Sequence, residues 1–197
     1  PQAVILSPDP ANMYRGAGIR WMDTFLTAGG REVCDITGIH PYRPRPEEPD
    51  LDADTAEFLK MLAGHGYTGD VWFSEGIYHQ NYQLPAYNLN VHAACSSDHF
   101  RAGTFSYHLG WGEKMCAAYT ARSWLVGLKY SDRVKMQVDW GYHRNSRLDL
   151  DGQPGAALFA SNTLGNLLGD SSFIRDVGLG DSIRCYVFAD NHGRTVA

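Results

Sequence analysis

The residue best placed to do chemistry in this chain is Glu75. It closes the run Gly69-Asp70-Val71-Trp72-Phe73-Ser74-Glu75-Gly76, where an apolar segment of strand character ends in a carboxylate followed at once by glycine. A strand that carries a carboxylate to its C-terminal end, with the head group in a loop-lined cleft, is how parallel β/α barrels present a catalytic acid. A carboxylate held in that way can attack an electrophilic carbon or manage a proton. Other polar and aromatic residues follow apolar runs in the same manner: Ser7 and Asp9, His40 and Tyr42, Asp139 and Trp140. One carboxylate with a His, a Tyr and a Trp suits a neutral polyhydroxylated ligand. Aromatic faces stack on the C–H side of a sugar ring, and the polar groups fix its hydroxyls. The set demands no metal or other cofactor, and the eight histidines form no H-E-x-x-H or similar ligand spacing.

Each of these residues also has a plainer reading. A Glu after an apolar strand is often a solvated strand end, His40 before Pro41 fits a turn cap, and Trp140 fits a core aromatic. Strand alternation points Asp139 away from Trp140, which favours a structural role for Asp139. Asp35 lies at the entry end of its strand and reads as a tether.

The elements that must position these residues alternate. Residues 3–7 form a short apolar run expected as a buried strand. Residues 15–28 carry Ile19, Met22, Phe25 and Leu26 at helical spacing, and Gly29-Gly30 stops that helix. A second strand is expected over 32–39, followed by a Pro-rich loop from Arg43 to Pro49. Asp54-x-x-Glu57 resembles a capping box, with Phe58, Leu59 and Leu62 forming the apolar face of the helix it opens. The third strand spans 69–75. Residues 76–111 show no clear period and are rich in Tyr, His and Asn, including Tyr78, His79, Tyr82 and Tyr87. This stretch reads as a sugar-contacting lid or as an insertion packed on the fold. A strong helix follows over 113–128 and a fourth strand over 134–140. A helix over 154–168 is opened by Pro154 and closed by Gly169. Ile183 to Ala189 reads as a strand that turns at Asn191-His192-Gly193 into another.

Strands alternating with helices predict parallel β-structure with crossover helices. Four strands cannot close a barrel, and an open parallel sheet leaves edges unpaired. The chain opens in Pro1-Gln2-Ala3-Val4 and stops at Arg194-Thr195-Val196-Ala197, both in mid-pattern. The expectation is therefore the second half of a (β/α)8 barrel over residues 1–170, strands five to eight, with 171–197 starting an appended β domain. A doubly wound open sheet is the alternative, but no Gly-rich phosphate loop follows any strand.

Composition narrows the function classes. The chain has 197 residues, 44% of them hydrophobic, and a net charge of −5, enough for a globular core and unlike a disordered segment. A mildly acidic chain is a poor binder of nucleic acid, because phosphate neutralisation needs clustered Lys and Arg. The cluster Arg43-Pro44-Arg45 is too short to serve. No apolar run approaches the roughly 20 residues of a membrane helix. Cys34, Cys95, Cys116 and Cys185 lie far apart with no C-x-x-C pair. Buried thiols are expected, with one disulfide possible, and they do not fix the compartment.

In order along the chain, these segments resemble the clan A glycoside hydrolases, retaining enzymes with catalytic carboxylates on barrel strands four and seven. The resemblance covers nearly the whole chain. Asp35-Ile-Thr-Gly-Ile-His40-Pro-Tyr42 is similar to their sixth strand, whose closing His and Tyr line the glycone pocket. Val71-Trp72-Phe73-Ser74-Glu75-Gly76 is similar to their seventh strand. Val138-Asp139-Trp140 resembles the eighth, whose aromatic floors the sugar subsite. Asp151-Gly152-Gln153-Pro154 and the Cys185-Tyr-Val-Phe188 strand resemble the exit into a C-terminal β domain.

The resemblance implies Glu75 as nucleophile, with His40, Tyr42, Trp140, Trp72 and Tyr78 contacting a carbohydrate substrate. It implies no cofactor, no nucleic-acid or membrane partner, and the N-terminal half-barrel of the same protein as the missing partner. The clan's acid/base Glu, usually in Asn-Glu, has no counterpart here. It is expected upstream on strand four, so the fragment alone is expected to be inactive. Sugar hydrolases are often exported, which favours an extracellular or periplasmic location. Two other function classes compete: a non-catalytic carbohydrate-binding barrel, and a structural module in which Glu75 is buried in a salt bridge or faces bulk solvent, away from His40 and Trp140.

Overall fold

A computed structural model describes residues 3–10, 13, 16–41, 43, 46–47, 50–76, 109–138, 154–180 and 183–197, with the side chains of the long central helix described from residue 117 onward. The fold is α/β. A parallel sheet of β1 (Thr37–Ile39), β2 (Val71–Phe73) and β3 (Val134–Gln137) alternates with α1 (Ala17–Thr27), α2 (Leu51–Gly64) and α3 (Leu109–Lys129). Helix α4 (Ala156–Leu168) leads into an antiparallel sheet of β4 (Ser171–Gly178), β5 (Arg184–Asp190) and β6 (Thr195–Val196). No closed barrel forms among the described residues.

The parallel strands lie side by side in chain order, β1-β2-β3. Residues 5–7 extend the order on the free side of β1 through a parallel bridge between Leu6 and Ile36. The Ser7 amide donates to the Ile36 carbonyl at 2.8 Å, and the Ile36 amide donates to the Ile5 carbonyl at 3.1 Å. Val4 and Ile5 are exposed, so this run is a short edge and not the buried strand its apolar sequence predicts. Parallel order sends the C-terminal ends of all these segments to one edge of the sheet. Asp9, His40, Glu75 and Val138 all emerge there.

Alternation divides the sheet into two faces. Thr37, Ile39, Val71 and Phe73 are fully or almost fully buried. Ile39, Val71 and Phe73 join Ile19, Met22 and Leu26 of α1, Leu51, Phe58 and Leu62 of α2, and Val126 of α3 in one core. On the other face Gly38 pairs with Trp72, and Trp72 with Met136. A register shift between Val71 and Trp72 keeps Trp72 and Met136 together on that side. This face is more open: Met136 is 39% exposed and Leu6 36%.

Local chemistry sets the helix ends. The left-handed φ of 94° at Gly29 stops α1, a conformation that costs glycine least. The N-cap of α2 is Asp50, whose carboxylate accepts the Asp52 amide at 3.0 Å. The expected cap, Asp54, lies inside the helix and pairs instead with Arg43 at 3.1 Å. Gly155 caps α4, so Pro154 stands just outside the helix it was expected to open. The Cys34 thiol is pushed up by burial and by the neighbouring Asp35 charge. Cys34 and Cys185 are both unpaired thiols.

The two sheets are joined by a polar cluster at the start of α2. The Asp52 carboxylate accepts from Lys129 Nζ at 2.8 Å, Tyr130 Oη at 2.6 Å and Tyr186 Oη at 3.0 Å. Lys129 also reaches Asp176 on β4 at 3.0 Å. Its ammonium lies 5.0 Å from the Tyr186 ring centroid, 5.4 Å from Phe173 and 5.5 Å from Tyr130. Arg184 on β5 clamps Asp50 with two guanidinium nitrogens. Burial opposes the charge on Lys129, but the hydrogen bonds to Asp52 and Asp176 outweigh it and raise its pKa. Burial likewise opposes the Asp50 charge, and Arg184 overcomes it to hold that carboxyl below the usual range.

Candidate active site

The site is built at the C-terminal edge of the parallel sheet. The His40 amide donates to the Pro10 carbonyl at 3.3 Å, and the His40 carbonyl accepts the Met13 amide at 2.9 Å. These bonds extend the outer edge of β1 and put the imidazole on the open side with Gly38. Beyond β2, the Ser74 amide donates to the Ile39 carbonyl at 3.3 Å and the Gly76 amide to the Val138 carbonyl at 3.0 Å. Glu75 is thus tied to β1 by the residue before it and to β3 by the residue after it. The chain bends at Glu75. Its carboxylate Oε2 lies 3.4 Å from His40 Nδ1, with the two side chains 29% and 18% exposed. The pair is partly sheltered yet reachable, as a group that meets a ligand must be.

Trp72 sits one layer beneath, on the open face between Gly38 and Met136, partly buried. Of the residues expected in the site, His40 and Glu75 are in contact, and Trp72 lies on the face of the sheet that carries Gly38. Tyr42, Tyr78 and Trp140 lie outside the described residues, as does Asp139. Asp35 is a tether, as its position at the strand entry suggested. Its carboxylate accepts the Ile5 amide at 2.8 Å, and its carbonyl accepts the Tyr67 hydroxyl at 2.7 Å.

Two contributors were not legible in the sequence. Ser74 Oγ is buried at the His40 level with no hydrogen-bond partner among the described residues. Gly38 allows the Asp9 carboxylate to lie against the sheet, where any Cβ would collide with it. Neither residue type carries a signal until the strand register is known. Arg43, half of the short basic cluster, is buried with no side-chain exposure and bound to Asp54 and to the Pro41 carbonyl. It holds the segment after β1 against α2.

No group of three or more His, Cys, Asp or Glu able to hold a metal occurs among the described residues. No helix among them is long and apolar enough to cross a membrane. Comparison with protein-family models, curated proteins and solved structures finds no match for this chain.

Proposed function

We propose that this chain is the strand-five-to-eight half of a (β/α)8 barrel in a retaining O-glycoside hydrolase, with Glu75 as the nucleophile. The observation that carries the reading is the contact of Glu75 with His40 at the C-terminal ends of adjacent parallel strands. Strands in unbroken chain order support it too, since a doubly wound sheet reverses its order at a switch point. A structural module predicts Glu75 away from both His40 and Trp140; the 3.4 Å contact with His40 disfavours the first of these, and Trp140 lies outside the described residues.

In this mechanism Glu75 attacks the anomeric carbon as the bond to the leaving oxygen breaks, forming a glycosyl ester. A second carboxyl about 5–5.5 Å away protonates that oxygen and then activates the water that cleaves the ester. The resemblance assigns that role to a Glu on strand four of the full barrel. His40 orients the nucleophile. Tyr42, Trp72, Tyr78 and Trp140 complete the sugar pocket in this reading, and no cofactor takes part.

The test is covalent trapping on the full-length protein with a panel of 2-deoxy-2-fluoro glycosides, followed by peptide mapping. Label on Glu75 is the expected result and identifies the glycone. Label on another carboxylate refutes the assignment. Glycan binding without label from any sugar favours a non-catalytic carbohydrate-binding barrel.

A further inference from the structure

We infer that Asp9 is a second ligand-contacting carboxylate of the same cleft, one that accepts vicinal hydroxyls of a neutral sugar and excludes anionic glycans. The inference rests on the carbohydrate reading of the site and deepens it. Asp9 lies just beyond the 5–7 segment, Glu75 just beyond β2, and His40 on the strand between them. The two carboxylates therefore stand on either side of the imidazole, about 10 Å apart at two strand spacings.

Local structure fixes the Asp9 head group. Ser7 Oγ accepts the Gly38 amide at 3.0 Å and donates to Asp9 Oδ1 at 3.4 Å. The carboxylate rests over the Gly38 backbone, in the space that a Cβ would fill. Thr37 and Ile39 point into the core, so Gly38 presents its bare backbone to the open face shared with Trp72. A partly buried carboxylate is thus laid on β1 at Gly38, whose neighbour across the sheet is Trp72.

An ionised carboxylate has about four acceptor positions on two oxygens. Among the described residues the long bond from Ser7 fills one. The remaining acceptor positions have no partner among the described residues, and two oxygens side by side match two adjacent hydroxyls of a pyranose. Hydrogen bonds to a charged acceptor are stronger than neutral ones, and a site built for hydroxyls discriminates sharply against ligands that lack them. The same charge repels a uronate or sulfate placed there, which is specificity by exclusion.

The test is calorimetric binding to the full-length protein carrying Glu75→Gln, which blocks turnover. The probes are p-nitrophenyl β-D-glucoside, β-D-galactoside, β-D-xyloside, α-L-arabinofuranoside and β-D-glucuronide. At least one neutral glycoside is expected to bind. Asp9→Asn should weaken it by about tenfold or more, and Gly38→Ala should do the same by displacing the carboxylate. The glucuronide should bind at least about tenfold more weakly than the glucoside, and Asp9→Asn should narrow that gap. Neutral affinity within about twofold of the parent in both variants overturns the inference, as does failure of every neutral glycoside to bind. Fluoroglycoside label away from Glu75 would refute the nucleophile assignment and leave these affinities as they are.

Discussion

Replacing Lys129 with Met tests what holds the antiparallel sheet against the helices. The change keeps an apolar stem beside the Tyr130, Phe173 and Tyr186 rings and removes the charge with its hydrogen bonds to Asp52 and Asp176. Lys129 and Asp52 are 13% and 15% exposed, so their 2.8 Å bond is little screened by water. A hydrogen bond between charged groups contributes about 1.5–3 kcal/mol. The aromatic faces add about 0.5–1 kcal/mol or more. Asp52 keeps both tyrosine hydroxyls in the variant, so it is not stranded. The expected loss is therefore about 2–4 kcal/mol by urea unfolding, or roughly 4–15 °C in Tm for a chain of this size. Asp176→Asn, which breaks the other ion pair of the same lysine, should cost less than about 1 kcal/mol because Asp176 is 57% exposed. A double-mutant cycle of Lys129→Met with Asp52→Asn should return a coupling of about 1–3 kcal/mol. A loss under about 1 kcal/mol for Lys129→Met, with coupling below about 0.5 kcal/mol, would refute the view that this pair anchors the sheet.

Three further outcomes follow from the same geometry. His40→Ala should lower kcat/KM of the full-length protein by about 100-fold, the scale of one lost active-site polar contact, while leaving the far-ultraviolet circular dichroism unchanged; full activity would remove His40 from the site. Arg43→Met should cost about 3–5 kcal/mol in thermal unfolding by leaving the Asp54 carboxylate unpaired, and adding Asp54→Asn should recover part of it. Stability should fall at both pH extremes. The raised Lys129 pKa gives a contribution that is complete below the unfolded lysine value of about 10.4 and lost as pH rises through the folded value. The lowered Asp50 pKa gives one that is present above about 3.9 and lost as pH falls through the folded value. Urea midpoints against pH check both limbs, and Lys129→Met should shrink the alkaline loss.

What could be read from the sequence follows the strength of each local signal. Ile19, Met22 and Leu26 of α1 and Phe58 and Leu62 of α2 are buried as their helical spacing predicts, whereas Phe25 and Leu59, expected on the same faces, are only partly buried. The strands were expected too long. Residues 32–36 belong mostly to a turn and to the tether at Asp35, where pairing and not apolar content sets the strand limit. Strand β4 escaped notice because polar Ser171, Ser172, Arg175 and Asp176 blur its alternation. A register shift between Phe173 and Arg175 breaks the period of two.

The cap of α2 was placed at Asp54 because of its spacing to Glu57; the helix starts a turn earlier, where Asp50 accepts the Asp52 amide, and Asp54 pairs with Arg43. Asp52, Lys129 and Tyr186 are scattered along the chain, so no spacing rule could join them. Glu75 and His40 were legible because each ends an apolar run, and parallel strands bring such ends together. Gly38 and Ser74 acquire meaning only from register.

The backbone bonds on either side of Glu75 bear on how such a protein can change. Ser74 is fastened to β1 and Gly76 to β3 before the chain reaches Ile77. The position of Glu75 is therefore set by the sheet itself, from both neighbouring strands. On the proposed reading, a change of specificity made elsewhere in the chain leaves the carboxylate where the sheet put it, so innovation in specificity is uncoupled from risk to the reacting group.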